Sequence, residues 1–431
     1  MTERSNARRP DDRAPGAGDH LDTGRANGRV PGLGDHLGAA QPEADDLTAR
    51  LLRAALGGRD RGRISLVGLC KNAGKTVTLN RLIRAAAAQG LALGLLSTGR
   101  DGEAVDAVTE LPKPPIWVPE GALVATAAAA LKPEEGAALE RGERGEIGAL
   151  DGRGARNRIG VRDRDRAGEA ERARVRVLRE TAITTPLGPV VIGRVERAGE
   201  VLLVGPGSAA RIAVLLDALE EAGARVCLVD GSLDRRAAAA PAVTGRAILA
   251  AGAAYSASME STVAQVRYLL ELFDLPEAPP EVQERVRESP PAVFLLPPEG
   301  PPVPVPVASA LSDPGAVAEA AAGSPAGSVL CLRGALTDGL LLALLARRCA
   351  HVPILVPDAT HVLVDRTAWR RWRRQGGQVW VERRIVIAAV TTNPYSPVGP
   401  GYDAAAFCAR VAEVAGRPVV DLVAGIAHNL P

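Results

Sequence analysis

The sequence predicts an α/β fold, a mostly parallel sheet covered by helices, with a second C-terminal α/β unit. Three observations carry this. Short apolar runs recur along the 431 residues, separated by helical stretches of about 10–15 residues, the spacing of parallel strands joined by crossover helices. The runs are apolar without strict alternation, as strands buried on both faces are. Hydrophobic residues make up 46% of the chain, enough for two or three cores.

Residues 1–46 are rich in Gly, Asp, Arg and Pro and repeat "PGAGDHL" (from Pro15) as "PGLGDHL" (from Pro31). This low-complexity stretch reads as a disordered arm in preference to a His-bearing metal tail. The first domain spans 47–275. Its first buried strand is "ISLVGL" (Ile64–Leu69), followed by a helix over Lys75–Gln89 with apolar Val77, Leu79, Leu82 and Ile83, then the strand "LALGLLS". The segment 132–176 alternates charge without apolar period and reads as a solvated insertion or a lone charged helix. After it come "VVIGRV", "EVLLVG", a helix over Ser208–Ala222, "RVCLVD", "AILAAGA" and an amphipathic helix over Glu260–Phe273. The proline-rich, charged stretch Asp274–Ala292 marks a boundary. From 290 to 431, "VFLL", "SVLCLRG", "VPILVP", "RIVIAAVTT" and "PVVDLV" are further strands, forming either a second α/β unit or the remainder of one large sheet.

The charge balance, 52 basic against 50 acidic residues, gives no global pull toward nucleic acid or membrane. Five dispersed cysteines without a C-x-x-C pair read as reduced thiols, not as a disulfide frame or zinc site. With no run of about 18 apolar residues and a polar N-terminus, neither a membrane span nor a signal peptide is expected, and the protein is predicted to be cytoplasmic. Only four of the basic residues are lysine (Lys71, Lys75, Lys113, Lys132). Where arginine fills nearly every cationic position, a retained lysine marks a place that needs a compact ammonium.

Two of those lysines stand in "VGLCKNAGKTVTLN" (Val67–Asn80), where a buried strand meets a helix through a loop ending Gly74-Lys75-Thr76. A phosphate-binding loop has this form, with a first glycine five residues before the second. Here that position is Leu69, and Gly68 stands one residue earlier, so the loop is one residue longer. The chemistry is kept: free N–H groups of Asn72, Gly74 and the helix start through Val77, the Lys75 ammonium for terminal phosphates, the Thr76 hydroxyl for Mg2+, and Lys71 as a second cation. ATP or GTP with Mg2+ is the predicted ligand.

A magnesium site needs a carboxylate at a neighbouring strand end. Asp230 closes "RVCLVD", and Asp101, with Glu103 beside it, follows the second strand; each could instead cap a helix or form a turn. A rival fingerprint lies in "EVLLVGPGSAARIAVLLDALEEAGARVCLVD", where Gly205, Gly207 and Ala210 match G-x-G-x-x-A and would make the chain a dinucleotide-binding oxidoreductase. Lys113 is either a site cation or a loop residue. Asn393 in "VTTNPYSP" either reads a nucleobase edge or, as Asn-Pro commonly does, forms a turn. Seven arginines (Arg366, Arg370, Arg371, Arg373, Arg374, Arg383, Arg384) surround Trp369, Trp372 and Trp380. The helical spacing of Trp369 and Trp372 favours a buried stripe with a solvated arginine face over a nucleic-acid surface. His351 and His361 read as structural or surface residues.

Four stretches together, "VGLCKNAGKTVTLN", "LLSTGRDGE", "LVDGSLDRRAAAAPAVTGRAILAAGA" and "TTNPYSPVGPGYDAAAF", resemble the KamB family of lysine 5,6-aminomutase reactivase subunits, P-loop accessory proteins of adenosylcobalamin-dependent aminomutases. The resemblance spans about Ile64 to Val423. It implies a P-loop NTPase whose nucleotide binding or hydrolysis drives release of damaged cobalamin from an inactivated mutase, together with a partner ATPase subunit. The chain has no D-x-H-x-x-G, so no histidine-on cobalamin site of its own is expected. The longer loop also resembles that of dethiobiotin synthetase, which implies an ATP-dependent ligase as an alternative.

Overall fold

A computed structural model describes residues 42–101, 115–131, 172–231, 243–287, 293–397 and 399–431. The main sheet is built from the ends of the chain inward. Helix α1 (Pro42–Leu56) precedes β1 (Gly62–Gly68), α2 (Lys75–Ala88) and β2 (Leu93–Ser97); β3 (Arg100–Asp101), β4 (Ile116–Val118) and β5 (Leu123–Ala127) follow. A long hairpin, β6 (Arg174–Thr185) and β7 (Gly188–Arg197), leads through β8 (Gly199–Val201) and β9 (Leu203–Val204) to α3 (Ala209–Glu221). Then come β10 (Val226–Asp230), β11 (Gly245–Gly252) and α4 (Met259–Phe273).

Helix α5 (Pro280–Arg287) opens a second stretch: β12 (Val293–Leu296), β13 (Val303–Pro304), α6 (Pro314–Ala322), β14 (Val329–Leu332) and β15 (Leu336–Thr337). It continues as α7 (Asp338–Ala346), β16 (Ile354–Val356), β17 (Val362–Leu363), α8 (Arg366–Arg374) and β18 (Val379–Val381). The chain closes with β19 (Val386–Asn393), α9 (Ala404–Ala415), β20 (Val419–Asp421) and β21 (Ile426–His428).

The fold is mixed α/β around a ten-stranded sheet in the order β21-β20-β19-β11-β1-β10-β2-β5-β7-β6. From β20 to β5 every pairing is parallel; β21 at one end and the β7–β6 hairpin at the other are antiparallel. The parallel strands are near-continuously buried, as the unalternated apolar runs predict. A second, five-stranded sheet, β13-β12-β14-β16-β18, is formed wholly from Val293–Val381. The strands after it, from Val386 onward, return to the first sheet beside β11. Val293–Val381 thus builds a sheet of its own while the strands from Val386 onward extend the first, and the described residues from Pro42 on form one compact unit.

Helices cover both faces. Leu79, Leu82 and Ile83 of α2 pack with α1 on Ile64, Leu66 and Ile248. On the opposite face, α4 and α9 cover Val67, Leu249 and Val390, and α3 covers Cys227 and Val229. The chain therefore leaves β1 by a helix on one face and β11 by a helix on the other. Such a reversal opens a crevice at the carboxyl ends of the strands, where α/β sheets hold ligands.

Several elements escape the sequence reading, among them α5 inside the stretch read as a boundary, the short strands β4, β18 and β21, and three that matter more. Helix α1 begins at Pro42, inside the stretch read as an arm; its buried Leu47, Leu51, Leu52 and Ala55 recur at helical spacing. Strand β5, "LVATA", is fully buried, and β6 begins at Arg174, inside the charged segment. Most of that segment, and residues 1–41, lie outside the described residues.

Candidate functional site

The loop from Gly68 to Thr76 sits at the carboxyl end of β1, at the centre of the strands β2-β10-β1-β11-β19. Its shape depends on two left-handed residues, Asn72 (φ 60°) and Gly74 (φ 96°), the second being the N-cap of α2. Because glycine is the cap, no side chain accepts from the first turn, in contrast to α4 and α9, capped by Ser258 and Asp403. The first-turn N–H groups of α2 are therefore offered to a ligand with the positive end of the helix dipole behind them. Ala73 presses on the end of β11, where a Cβ at Gly252 would lie 2.6 Å from the Ala73 Cα.

Lys75 turns back across the loop. Its stem passes over Gly68, where a Cβ would lie 2.9 Å from Lys75 Cδ. Its ammonium donates to the Gly231 carbonyl at 2.6 Å and stands 4.0 Å from Asp230 Oδ1. Asp230 is buried, level with Leu66 of β1 and Ser97 of β2 across the ladder. Burial pushes the neighbouring Cys70 thiol up to about 11, with Lys75 pulling the other way. A buried carboxylate, the half-buried Thr76 hydroxyl and an uncapped helix start form a hard-oxygen and anion-binding set. That set fits Mg2+ held jointly with phosphate oxygens, and it contains no soft ligand.

On the other flank, β19 reaches the loop. Asn393 donates from Nδ2 to the Asn72 carbonyl at 3.1 Å and accepts from the Tyr395 N–H at 3.2 Å. Thr391 Oγ1 lies 3.1 Å from Thr78 Oγ1, which in turn donates to the Gly74 carbonyl. Asn393 thus forms the turn that Asn-Pro predicts, and its amide is also engaged with the loop. Comparisons with family models, curated proteins and solved structures give no match.

Of the other predicted residues, Asp101 falls in β3, paired with Leu203 beyond the end of β2, and its side chain is outside the described residues, as are Glu103 and Lys113. Lys71 is exposed on the loop, and Val77 is half-buried in the first turn of α2. The rival Gly205 has a different use. A Cβ there would lie 1.8 Å from the Ser97 carbonyl oxygen, so this glycine admits the protein's own backbone. Leu203–Val204 pairs antiparallel with Arg100–Asp101 and is not a strand of the main sheet, so the β–α–β unit that a dinucleotide fingerprint requires is not formed.

Trp369 and Trp372 are buried, and Trp369 donates to Glu271 at 2.9 Å. Arg370, Arg371, Arg373 and Arg374 are exposed around them, so no tryptophan face of α8 is open for stacking. His361 Nδ1 lies 3.1 Å from buried Asp358, and His351 is exposed. Among the described residues no group of three or more His, Cys, Asp or Glu is arranged to hold a metal, and no helix is long and apolar enough to cross a membrane.

Sequence reasoning missed the role of Asn393 toward the loop and that of Thr391. The available signal was the run Thr391-Thr392-Asn393 at the end of an apolar strand, the position where α/β sheets place site residues.

Proposed function

We propose that this chain is a P-loop nucleotide-binding protein that takes ATP or GTP with Mg2+ on the Gly68–Thr76 loop and serves in the cytoplasm as an accessory factor that reactivates a cobalamin-dependent aminomutase. The observation that carries the nucleotide reading is Lys75. Its ammonium is held over the loop at the uncapped start of α2, 2.6 Å from the Gly231 carbonyl and beside buried Asp230. In this reading Lys75 and the loop N–H groups bind the terminal phosphates, and Thr76 and Asp230 hold Mg2+ or its water, with Asp101 as a further carboxylate. When bound, Mg2+ would supply charge neutralisation at the phosphate oxygens that these residues position.

The accessory role rests on the four resembling stretches. Support for taking them together is that they run into the carboxyl ends of β1, β2, β10, β11 and β19, five neighbours in one sheet. A dethiobiotin synthetase-like ligase would use the same loop, and turnover separates the two.

Thermal-shift titration with ATP, GTP, NAD and FAD, with and without Mg2+, tests the nucleotide reading on wild type and Lys75→Ala. A ligand at 100 times its Kd stabilises by about 2.7 kcal/mol, so a Mg2+-dependent rise with ATP or GTP, lost in Lys75→Ala, is expected. Stabilisation by NAD alone, or an undiminished response in the variant, refutes it. For the partner, affinity capture from the native host is expected to recover an aminomutase subunit, and recovery of none overturns the reactivase role.

A further inference from the structure

We infer that β19 latches the nucleotide loop from the side, with Asn393 as a positioning residue that aims a loop N–H and Thr391 as its support; as a statement about ligand binding this rests on the phosphate-site reading above. The geometry is local and specific. Thr391 and Asn393 are two apart on one strand, so both side chains leave the same face. Asn393 grips the crown of the loop through the Asn72 carbonyl, and Thr391 grips its exit through Thr78 and the Gly74 carbonyl.

What the grip does follows from the peptide plane. In a trans peptide the carbonyl of one residue and the N–H of the next point in opposite directions. Holding the Asn72 oxygen on Asn393 therefore turns the Ala73 N–H away from β19. Asn72 is a non-glycine residue in the left-handed region, a conformation that surrounding structure must hold. Gly74 leaves the space the latch needs, since a Cβ on it would lie 2.9 Å from Asn393 Cβ.

The Asn393 amide is engaged at both ends. The carbonyl oxygen is fixed by Tyr395 N–H, which orients the NH2 group toward Asn72. Both of these bonds run to the loop and to the residue's own turn, so its side chain is part of the loop's support. The latch also explains the course of the chain. Residues 293–381 build a separate sheet, yet the strand that follows returns across the fold and brings two polar side chains to a loop more than 300 positions earlier.

The test is hydrogen exchange of the full-length protein without nucleotide, on wild type, Thr391→Val, Asn393→Ala and Asn393→Asp, followed by Mg-ATP and Mg-GTP titration. Loss of one such bond is expected to speed exchange in Leu69–Val77 by about two- to tenfold and weaken nucleotide binding by a similar factor, with exchange in β10 unchanged. Asn393→Asp removes the donor at neutral pH. As pH falls toward the ordinary aspartate value near 3.9, its carboxyl protonates and donates again, so loop protection corrected for intrinsic exchange recovers. Asn393→Ala shows no such recovery. Unchanged loop exchange in Asn393→Ala, loosening shared equally by β10, or no recovery in Asn393→Asp overturns the latch. If the loop loosens as described while wild type binds neither nucleotide, the latch stands and the phosphate-site reading falls.

Discussion

Gly68 is the glycine that the usual loop count would place one residue later, and Gly68→Ala tests whether it has a task there. A Cβ at Gly68 would meet Lys75 Cδ at 2.9 Å, Lys75 Cγ at 3.0 Å and the Cys70 carbonyl oxygen at 3.1 Å. The backbone contact can relax by a few tenths of an ångström, but the lysine stem must move by about 0.5 Å or more to reach ordinary contact. The stem is flexible, so the cost to the fold is that of an off-rotamer chain, about 0.5–1.5 kcal/mol, seen as a fall of a few degrees at most in Tm. The ammonium at the end of that stem loses its place 2.6 Å from Gly231 O. In the proposed complex the same displacement moves it off a phosphate oxygen; a hydrogen bond to a charged group contributes about 1.5–3 kcal/mol, and 1.4 kcal/mol is tenfold. Mg-ATP or Mg-GTP affinity should therefore fall by roughly 10- to 100-fold with the ammonium still present. Isothermal titration calorimetry measures this directly, and Gly207→Ala, whose Cβ meets nothing within 4 Å, is the silent control. Binding by Gly68→Ala within about twofold of wild type would refute the reasoning, because Lys75 would then work equally well from a displaced stem.

Two further outcomes follow from the same geometry. Gly205→Ala drives a Cβ onto the Ser97 carbonyl, a backbone atom 1.8 Å away, so strand β2 or the Gly205 turn must shift. A loss of about 1–3 kcal/mol or more is expected in urea denaturation, with no change in any NAD response; a neutral substitution would contradict the close approach. Cys70 is the one partly accessible cysteine, the other four being buried, so maleimide labelling of the native protein reports on it alone. With the thiol pushed up to about 11, the thiolate fraction at pH 8 is about 100-fold below that of an unshifted group at 9.0. The more basic thiolate is also the better nucleophile, which restores roughly tenfold. Labelling about tenfold slower than a free thiol, still rising with pH beyond pH 10, is expected. Lys75→Ala should slow it further, since the ammonium favours the thiolate; a plateau below pH 9 would refute the assignment.

Much of the sheet is legible in the sequence because a strand buried on both faces needs an unbroken apolar run, and "ISLVGL", "RVCLVD" and "AILAAGA" each supply one. The loop is legible for a related reason. Phosphate chemistry confines Gly, Lys and Thr to a few consecutive positions after a strand, and a chain that has almost abandoned lysine makes Lys75 conspicuous. Where the sequence is silent, the information is not local. Nothing within Thr391–Asn393 says that this strand pairs with β11, which sets Asn393 level with Gly252 and brings it to the loop. The second sheet intervenes in the chain, and pairing across it depends on cores that no short window contains. Strand β6 was hidden by its composition, since arginines alternate with apolar residues on an edge strand exposed along most of its length.

The two glycine motifs show why spacing alone misleads. Gly205-x-Gly207 satisfies a pattern whose purpose is close backbone approach, and the structure does use Gly205 for a close approach, but to Ser97 of its own β2. Gly68 breaks the pattern by one residue, yet it lies under the lysine stem, where a loop glycine has steric work to do. A glycine signals that something must come near, and the sequence does not say what. The identity of the approaching group is settled by which strand lies beside the glycine, and therefore by strand order. In this chain strand order sets Gly68 and Asp230 on neighbouring strands, at the carboxyl ends of β1 and β10, and leaves Gly205 outside the sheet. For that reason Gly68→Ala and Gly205→Ala, identical as chemical changes, are expected to part company, the first costing ligand affinity and the second costing the fold.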